Sequence, residues 1–448
     1  MTEGPLLPAI ITYTVPIILT SILQLLFNAA DLVIVGRFCG STSVAAVGAT
    51  NSITNLIINL FVGLSVGASV SVAQAYGAQD NETQHRTVHS AITLSLIAGV
   101  ILTVVGIMVS EPMLVFMDTP DEVLPKSALY MKIYFGGIVF NMLYNYSASI
   151  LRAVGDTRSP LVFLTIAGVI NVILNVFFVT VFHMDVAGVA LATVISQGVS
   201  AILVVIALMR REDACRLYLS KLKIYTRELK SILFIGLPAG LQGSLFSISN
   251  VIIQSSINSF GDVFMSGNAA AASIEGFIYV FLNAFMQTSV NFTGQNYGAK
   301  NYKRIKQGFF ACLALVLIVG IPVCIGVRLL AKPLLSIYIT DSAEAILCGI
   351  TRMNFVCLPY FLCGLMEVTT GAIRGLGKSF ITMAMSIIGV VGIRIVWIYT
   401  VFASHHTPET LFVSYPVSWV GTFVCQFIAF IVIYKSILKK ENECLRSK

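Results

Sequence analysis

The residues that could do chemistry in this sequence are a few charged groups set in long apolar stretches. Asp31 is the only carboxylate between Pro8 and Phe38. An ionisable residue inside a membrane-spanning helix is costly, and it usually faces the protein interior or a water-filled path. A carboxylate there can bind and release a proton, or it can supply oxygen ligands to a hard cation. Asp31 is therefore the first functional candidate.

Three further charged residues lie well inside apolar segments, namely Glu275, Glu367 and Arg394. One interpretation is a buried ion pair that joins Arg394 to Glu275 or to Glu367. The other interpretation is a role in binding substrate or in ion coupling. The residues alone leave both interpretations open.

Amide side chains recur every four residues in several apolar segments, which places them on one face of a helix. A single amide usually hydrogen-bonds a neighbouring helix. So many stripes favour a hydrated cavity, because amides that face lipid would be costly. The stripes in both halves that we take as substrate-cleft candidates are Asn51 and Asn55, and Asn283 and Gln287.

The elements that must hold these groups are transmembrane helices. The chain has 448 residues, of which 57% are hydrophobic and only 11% are charged, whereas soluble domains carry about 25% charged residues. Apolar runs of about 20 residues predict membrane-spanning helices. We predict twelve: 9–37, 46–77, 88–110, 128–150, 160–183, 187–209, 230–258, 268–296, 307–330, 346–371, 379–402 and 412–438.

The basic residues sort by loop. With a cytoplasmic N-terminus, 21 of the 28 Lys and Arg lie on the cytoplasmic side, which predicts that both termini are cytoplasmic. We interpret the net charge of +7 as topological, and we expect no nucleic acid partner. Phosphate-binding and nucleophile motifs are absent. His85 and His89 lack a third ligand nearby and are expected to be solvated, so we predict neither a metal site nor an enzyme.

The sequence repeats itself. QAYGA at 74–78 recurs as QNYGA at 295–299, RAVG at 152–155 recurs as RGLG at 374–377, and Pro16 matches Pro238. Each half has six predicted helices, so the repeats are parallel. We predict an N-terminal six-helix lobe at 1–209, a cytoplasmic linker at 210–229 and a C-terminal six-helix lobe at 230–448. Gly63 and Gly67 begin a small-residue series that predicts a packing seam.

These motifs resemble multidrug and toxic compound extrusion (MATE) transporters, in particular the bacterial branch related to DinF and NorM. The resemblance covers essentially the whole chain, and the repeated Gln-x-Tyr-Gly-Ala and Arg-x-x-Gly motifs are its specific part. It implies an all-α integral membrane fold of twelve helices in two six-helix bundles. It also implies a secondary antiporter that exports amphipathic, cationic organic compounds in exchange for H⁺ or Na⁺, by alternating access of a cleft between two lobes.

The resemblance also assigns residues. The carboxylate of the first helix is a cation-coupling residue in the family, and that role carries over to Asp31. Its polar neighbours on the fifth and sixth predicted helices would be Asn171, Asn175 and Thr193, and Na⁺ could bind at Asp31. Many relatives have Asp at the position of Asn175, so this lobe has one carboxylate where they have two.

Two rivals remain on the same fold: a flippase for a lipid-linked saccharide, and an exporter of an endogenous metabolite. Phosphate-bearing cargo needs a basic cleft, and Arg394 is the only basic residue that the sequence places well within the apolar helices. We therefore expect a multidrug exporter in the bacterial inner membrane, active as a monomer among membrane lipids and without a cofactor.

Overall fold

The computed structural model describes the backbone of residues 1–117, 119–340 and 342–446. Within these ranges the chain is helical and contains no β-strand. The helices of the first half are α1 Leu6–Phe38, α2 Ser41–Gly77, α3 Asn81–Phe116, α4 Leu124–Gly136, α5 Ile138–Ala153, α6 Arg158–Thr180 and α7 Asp185–Met209. Those of the second half are α8 Thr226–Asn258, α9 Asp262–Gly298, α10 Tyr302–Leu329, α11 Ala331–Tyr338, α12 Ala343–Arg352, α13 Phe361–Gly375, α14 Ser379–Ser386, α15 Ile393–Trp397 and α16 Pro408–Arg446.

Three segments of the second half are wound as π-helix, a form that is rare and often found at functional sites. They are Met353–Cys357, Ile387–Gly392 and Ile398–Phe402. The predicted helix at 379–402 is therefore a continuous rod of α14, a π segment, α15 and a second π segment.

Ten helical segments in the described part of the chain are long and apolar enough to cross a membrane. The pair Ala343–Cys357 and Phe361–Gly375, bent by 41° at its break, is long and apolar enough for an eleventh span when its two helices are counted together. The segment predicted at 128–150 is built from α4 and α5, which are separated at Gly137. Neither of these two helices alone reaches the roughly 20 residues that a span requires. The all-α membrane architecture is confirmed.

The internal repeat is visible in the backbone. Gln79 and Lys300 both have a positive φ of 55°, and Gly40 and Gly261 have φ of 85° and 87°. Helices α2 and α9 have the same length of 37 residues. A left-handed residue that is not glycine is uncommon, so its recurrence after the same helix in both halves reflects one turn geometry used twice.

By contacts, the chain divides into two compact units. The unit that we call the N-terminal unit is Val15–Gly240, and the C-terminal unit is Met1–Thr14 with Leu241–Lys448. Both boundaries fall inside long helices, α1 and α8. The lobe and linker limits predicted from the sequence describe membrane topology and stay a prediction.

Within the N-terminal unit, α2 packs directly against the first half of α8. A Cβ atom at Gly63 would collide with the backbone of Gly240, and one at Gly67 would collide with the backbone around Gly236. The seam continues to Ser71, whose hydroxyl lies 3.0 Å from that of Ser231. The predicted seam on this helix is confirmed, and the absence of side chains allows the two backbones to touch.

Candidate ion-coupling site

Asp31 lies in the second half of α1, where it is half-buried. The amide Nδ2 of Asn175, on α6, donates a hydrogen bond of 2.5 Å to Asp31 Oδ1. Asn175 itself is fully buried. No Lys or Arg of the described residues forms an ion pair with Asp31. Among the described residues, the polar contact of this carboxylate is thus a neutral amide, which leaves its charge uncompensated.

The contact with Asn175 begins a chain of polar side chains that crosses three helices. Asn175 Nδ2 also donates to Asn171 Oδ1 at 3.1 Å. Asn171 Nδ2 in turn approaches Thr193 Oγ1, on α7, at 3.4 Å. The Thr193 hydroxyl donates to the carbonyl oxygen of Val189, one turn earlier in its own helix. The four residues assigned to coupling from the family resemblance therefore form one connected group, which we call the Asp31 chain.

The Asp31 chain is rich in acceptor oxygens. Asn175 Oδ1 is buried and has no hydrogen-bond partner among the described residues. A buried acceptor without a donor is costly and needs an explanation. A protonated Asp31 would donate a hydrogen bond to this oxygen, and a cation beside Asp31 would bind it as a ligand. The group can accordingly hold a proton or a hard cation.

The amide stripe on α9, in the C-terminal unit, is arranged differently from the Asp31 chain. Gln287 Nε2 donates to Asn283 Oδ1 at 3.1 Å, and Asn283 Nδ2 donates to the Tyr279 hydroxyl at 3.3 Å. These bonds run along a single helix. Asn283 is part-exposed rather than buried. At Asn283 the stripe therefore hydrogen-bonds within α9, whereas the Asp31 chain joins three helices.

Glu275 is held in an ion pair that the sequence interpretation did not identify. Its carboxylate accepts from Arg352 Nη2 at 2.6 Å and from Arg352 Nε at 3.0 Å. Arg352 Nη1 donates to Asn268 Oδ1 at 2.7 Å. The expected pair between Glu275 and Arg394 is wrong, because Arg352 at the end of α12 reaches Glu275 instead.

Arg394 and Glu367 are both buried, with 5% and 7% of their surface exposed. Arg394 Nε donates to Ser418 Oγ at 3.1 Å, and its guanidinium lies over the Tyr415 ring at 4.2 Å. In the described ranges neither residue has an oppositely charged group within 4 Å. The alternative pair of Glu367 with Arg394 is therefore wrong as well.

The structure buries more arginines than the sequence indicated. Arg352 and Arg374 are 5% and 7% exposed, so Arg394 is one of three buried arginines of the C-terminal unit. Arg374 Nη2 donates to Gln242 Oε1 at 2.8 Å. From the sequence, Arg374 was recognised only as part of a repeated motif. The position of Arg374 could have indicated its burial, since it lies seven residues after Glu367 in the same helix.

Two groups of predicted residues need separate mention. The side chains of Asn51 and Asn55 lie outside the described residues. His89 was expected to be solvated, and this is wrong: it is fully buried, with Nδ1 2.8 Å from the carbonyl oxygen of His85 and Nε2 accepting from the backbone N–H of Tyr218 at 3.2 Å. The linker between α7 and α8 covers it. No cluster of metal ligands occurs in the part of the chain that is described.

The linker is itself anchored by charge. Arg211 donates to Asp213 at 2.5 Å through Nη2, and the backbone N–H of Cys215 donates to Asp213 Oδ1 at 3.0 Å. Burial alone would raise the pKa of Asp213, but the hydrogen bonds and charge of Arg211 outweigh it and hold this pKa below its usual value. Cys215 is buried beneath, and burial raises the pKa of its thiol to about 12.

Comparison with known proteins agrees with this architecture. The sequence model of the family MatE matches residues 16–177 and again residues 238–400. The matches start at Pro16 and Pro238, the prolines of the internal repeat, and together they cover well over half of the chain. The resemblance found in the sequence motifs is confirmed.

Curated relatives and solved structures cover nearly the full length. The "Probable multidrug resistance protein YpnP" of Bacillus subtilis (strain 168) is 27% identical over 387 residues, 86% of each chain. Its paralogue, the "Probable multidrug resistance protein YoeA", is 26% identical over 433 residues, 94% of this chain and 91% of that one. The crystal structure of MATE in complex with MaL6 superposes with a TM-score of 0.91 at 21% identity over 98% of both chains, which shows the fold. The chain therefore belongs to the MatE family of multidrug efflux transporters, and it is a multi-pass membrane transporter rather than an enzyme.

Proposed function

We propose that this transporter is a secondary antiporter that exports amphipathic organic compounds, organic cations foremost, in exchange for H⁺ or Na⁺. The observation that carries the proposal is the Asp31 chain. Its single carboxylate has no cationic partner among the described residues. Hydrogen bonds connect this carboxylate through Asn175 and Asn171 to Thr193 on a third helix. Binding of a cation to such a group changes the hydrogen bonds between the three helices and thereby their packing.

In the proton-coupled form, protonation of Asp31 turns an acceptor-only carboxylate into a donor. The protonated group can then donate to an amide oxygen, and Asn175 Oδ1 is the candidate because it is buried and has no donor among the described residues. Loss of the proton removes that donor and favours a different packing of α1. This helix carries Pro16, which lacks a backbone N–H and leaves a gap in the helical hydrogen-bond ladder where bending is easy.

In the sodium-coupled form, the cation binds the Asp31 carboxylate together with amide and hydroxyl oxygens of Asn171, Asn175 and Thr193. Hard cations take oxygen ligands of this kind. Either form converts an ion gradient into a change of helix packing, and alternating access then moves the cargo. No organic cofactor is required, and the coupling ion is the only accessory species in the proposal.

The proposed setting is the bacterial inner membrane with both termini in the cytoplasm, in which the protein acts as a monomer. The orientation rests on the distribution of Lys and Arg between the two sides. This placement allows the inward gradients of H⁺ and Na⁺ to drive export.

The test uses the purified protein in liposomes loaded with an ethidium-type dye. Dye movement is measured after a pH gradient alone is imposed, and after a Na⁺ gradient alone is imposed. We expect dye movement that is driven by one of these gradients and collapses when an ionophore dissipates it. Equal dye movement with and without both gradients would overturn the antiport proposal. A matched assay with a fluorescent lipid-linked saccharide separates the exporter from the flippase.

A further inference from the structure

The interior of the C-terminal unit carries more positive than negative charge. Its buried arginines are Arg352, Arg374 and Arg394, and its inward carboxylates are Glu275 and Glu367. An unpaired charge in a low-dielectric interior is strongly unfavourable. One positive charge in this interior therefore needs a counter-charge that the described residues do not supply.

Two of the three arginines have partners. Arg352 is paired to Glu275, hydrogen-bonded to Asn268, and flanked by aromatic rings. Arg374 donates to Gln242 and interacts electrostatically with Glu367, two turns before it in α13. Glu275 also interacts electrostatically with Arg394, but its carboxylate is ion-paired to Arg352. The three arginines therefore share two carboxylates, and one positive charge is in excess.

Arg394 is the remaining arginine. Its contacts are one hydrogen bond from Nε to Ser418 and a stacking contact with Tyr415. Among the described residues, no hydrogen-bond acceptor contacts the two terminal amino groups of the guanidinium. These are the donors that bind carboxylates and other anions most effectively.

The helix geometry around Arg394 is also unusual. The residue lies in the five-residue helix α15, between the π segments Ile387–Gly392 and Ile398–Phe402. A π segment widens the helix and changes the direction of the side chains that follow it, and such segments are frequent at functional sites. The winding of this rod places Arg394 inside the protein, beside α16.

We propose that Arg394 binds one monovalent anion in the interior of the C-terminal unit. The anion is either the carboxylate of an exported compound or a free chloride ion. In the first case the inference rests on the proposed export function and extends the cargo to amphipathic compounds that carry a carboxylate. In the second case the anion neutralises the third arginine independently of cargo. The guanidinium supplies charge and donors, and Ser418 and Tyr415 fix its orientation.

The experiment measures thermal unfolding of the purified full-length protein in phosphatidylcholine nanodiscs, in sulfate buffer of constant ionic strength. Sodium chloride is added in one series. Dansylglycine, which carries a carboxylate, and dansylglycinamide, its neutral amide, are added in two others. A ligand that binds only the folded state raises the unfolding midpoint. We expect chloride or dansylglycine to raise it by at least about 3 °C at saturation, and dansylglycinamide to leave it unchanged.

The variant Arg394→Met removes the proposed anion-binding group, and Lys332→Gln removes an exposed positive charge from the same unit. We expect Arg394→Met to lose the response to anions and to be at least as stable as the wild type without them, because a buried unpaired charge is gone. Lys332→Gln should respond as the wild type does. A response to chloride alone assigns the free ion, and a response to dansylglycine without chloride assigns the cargo.

Two results would overturn the proposal. One is a wild-type midpoint that is insensitive to both anions, which decides the matter even when the variant does not fold. The other is an Arg394→Met variant that keeps the anion response. The assay uses no ion gradient, so failure of gradient-driven dye export would leave this result intact, and a missing anion response would leave the export proposal intact.

Discussion

The two units share a repeated helical scaffold but differ in the partners of their interior carboxylates. In the N-terminal unit, Asp31 contacts a neutral amide among the described residues, in a chain of polar side chains that crosses three helices. In the C-terminal unit, Glu275 is locked to Arg352, and the amide stripe of α9 bonds along its own helix. A carboxylate that is already paired cannot respond to a cation, whereas one facing amides can. On this contrast we propose that ion coupling lies in the N-terminal unit.

The repeat strengthens this contrast. At the repeat offset, the counterparts of Asp31 in α8 are Ile252 and Ile253, and Ile253 is 1% exposed within the apolar core. The fold thus builds the equivalent helix without a carboxylate. Asp31 is an addition to the scaffold, and its cost is consistent with a functional role.

The largest expected effect comes from replacing the carboxylates of Asp31 and Glu367 one at a time. Asp31→Asn should lower gradient-driven dye export by at least about 1,000-fold, because the ion-binding charge is lost. Glu367→Gln should lower it by less than about 3-fold, because Glu367 interacts with Arg374 and not with the coupling group. Export in proteoliposomes at equal protein content measures both. A reversed order would move coupling to the C-terminal unit.

The next effect concerns stability. Glu275→Gln leaves Arg352 buried without its counter-charge, so we expect a loss of about 3 kcal/mol or more in the free energy of unfolding. The double variant Glu275→Gln with Arg352→Gln should recover most of it, since both charges are then absent. Asp31→Asn should change stability by less than about 1 kcal/mol, because no ion pair is broken. Thermal unfolding in nanodiscs measures the stability of all three variants. Equal losses of stability in Glu275→Gln and Asp31→Asn would contradict the difference between the units.

A smaller effect is expected from the amides. Asn175→Leu removes the donor to Asp31 and should lower export by about 10-fold, the scale of a hydrogen bond to a charged group. Its matched control, Asn283→Leu, interrupts the stripe on α9 and should cost less than about 3-fold, because Asn283 hydrogen-bonds to Tyr279 and Gln287 of its own helix. Comparable losses in initial export rate for the two variants would show that the stripes contribute equally.

The smallest effect lies in the linker. Asp213→Asn weakens the contact with Arg211 and should speed proteolysis of the linker by about 2-fold, as expected for a partly exposed ion pair. The pKa of Asp213 is held below its usual value, so the stabilisation is present above about pH 4 and is lost as pH falls further. Limited proteolysis of wild type and variant between pH 3 and pH 7 measures it. A difference that grows as the pH falls would contradict this sign.

The sequence predicted the helical membrane fold and its repeat because apolar length and repeated motifs are local signals. The four residues of the Asp31 chain were also grouped correctly, but this grouping came from the family resemblance and not from the spacing of the residues in the sequence. The ion pair of Glu275 could not be predicted, because Arg352 comes from a helix 77 residues away in the chain. The burial of His89 was missed for the same reason, since the covering linker follows four helices later.

Coupling through Asp31 is tested most directly by running the exchange backwards. Liposomes containing the protein receive dye on one side with no ion gradient, and movement of H⁺ and of Na⁺ is recorded with separate indicators. The account predicts that the dye gradient drives one of these ions in the opposite direction through the wild type, and that Asp31→Asn abolishes this ion movement while remaining folded. Dye-driven ion movement of wild-type size in Asp31→Asn would contradict it.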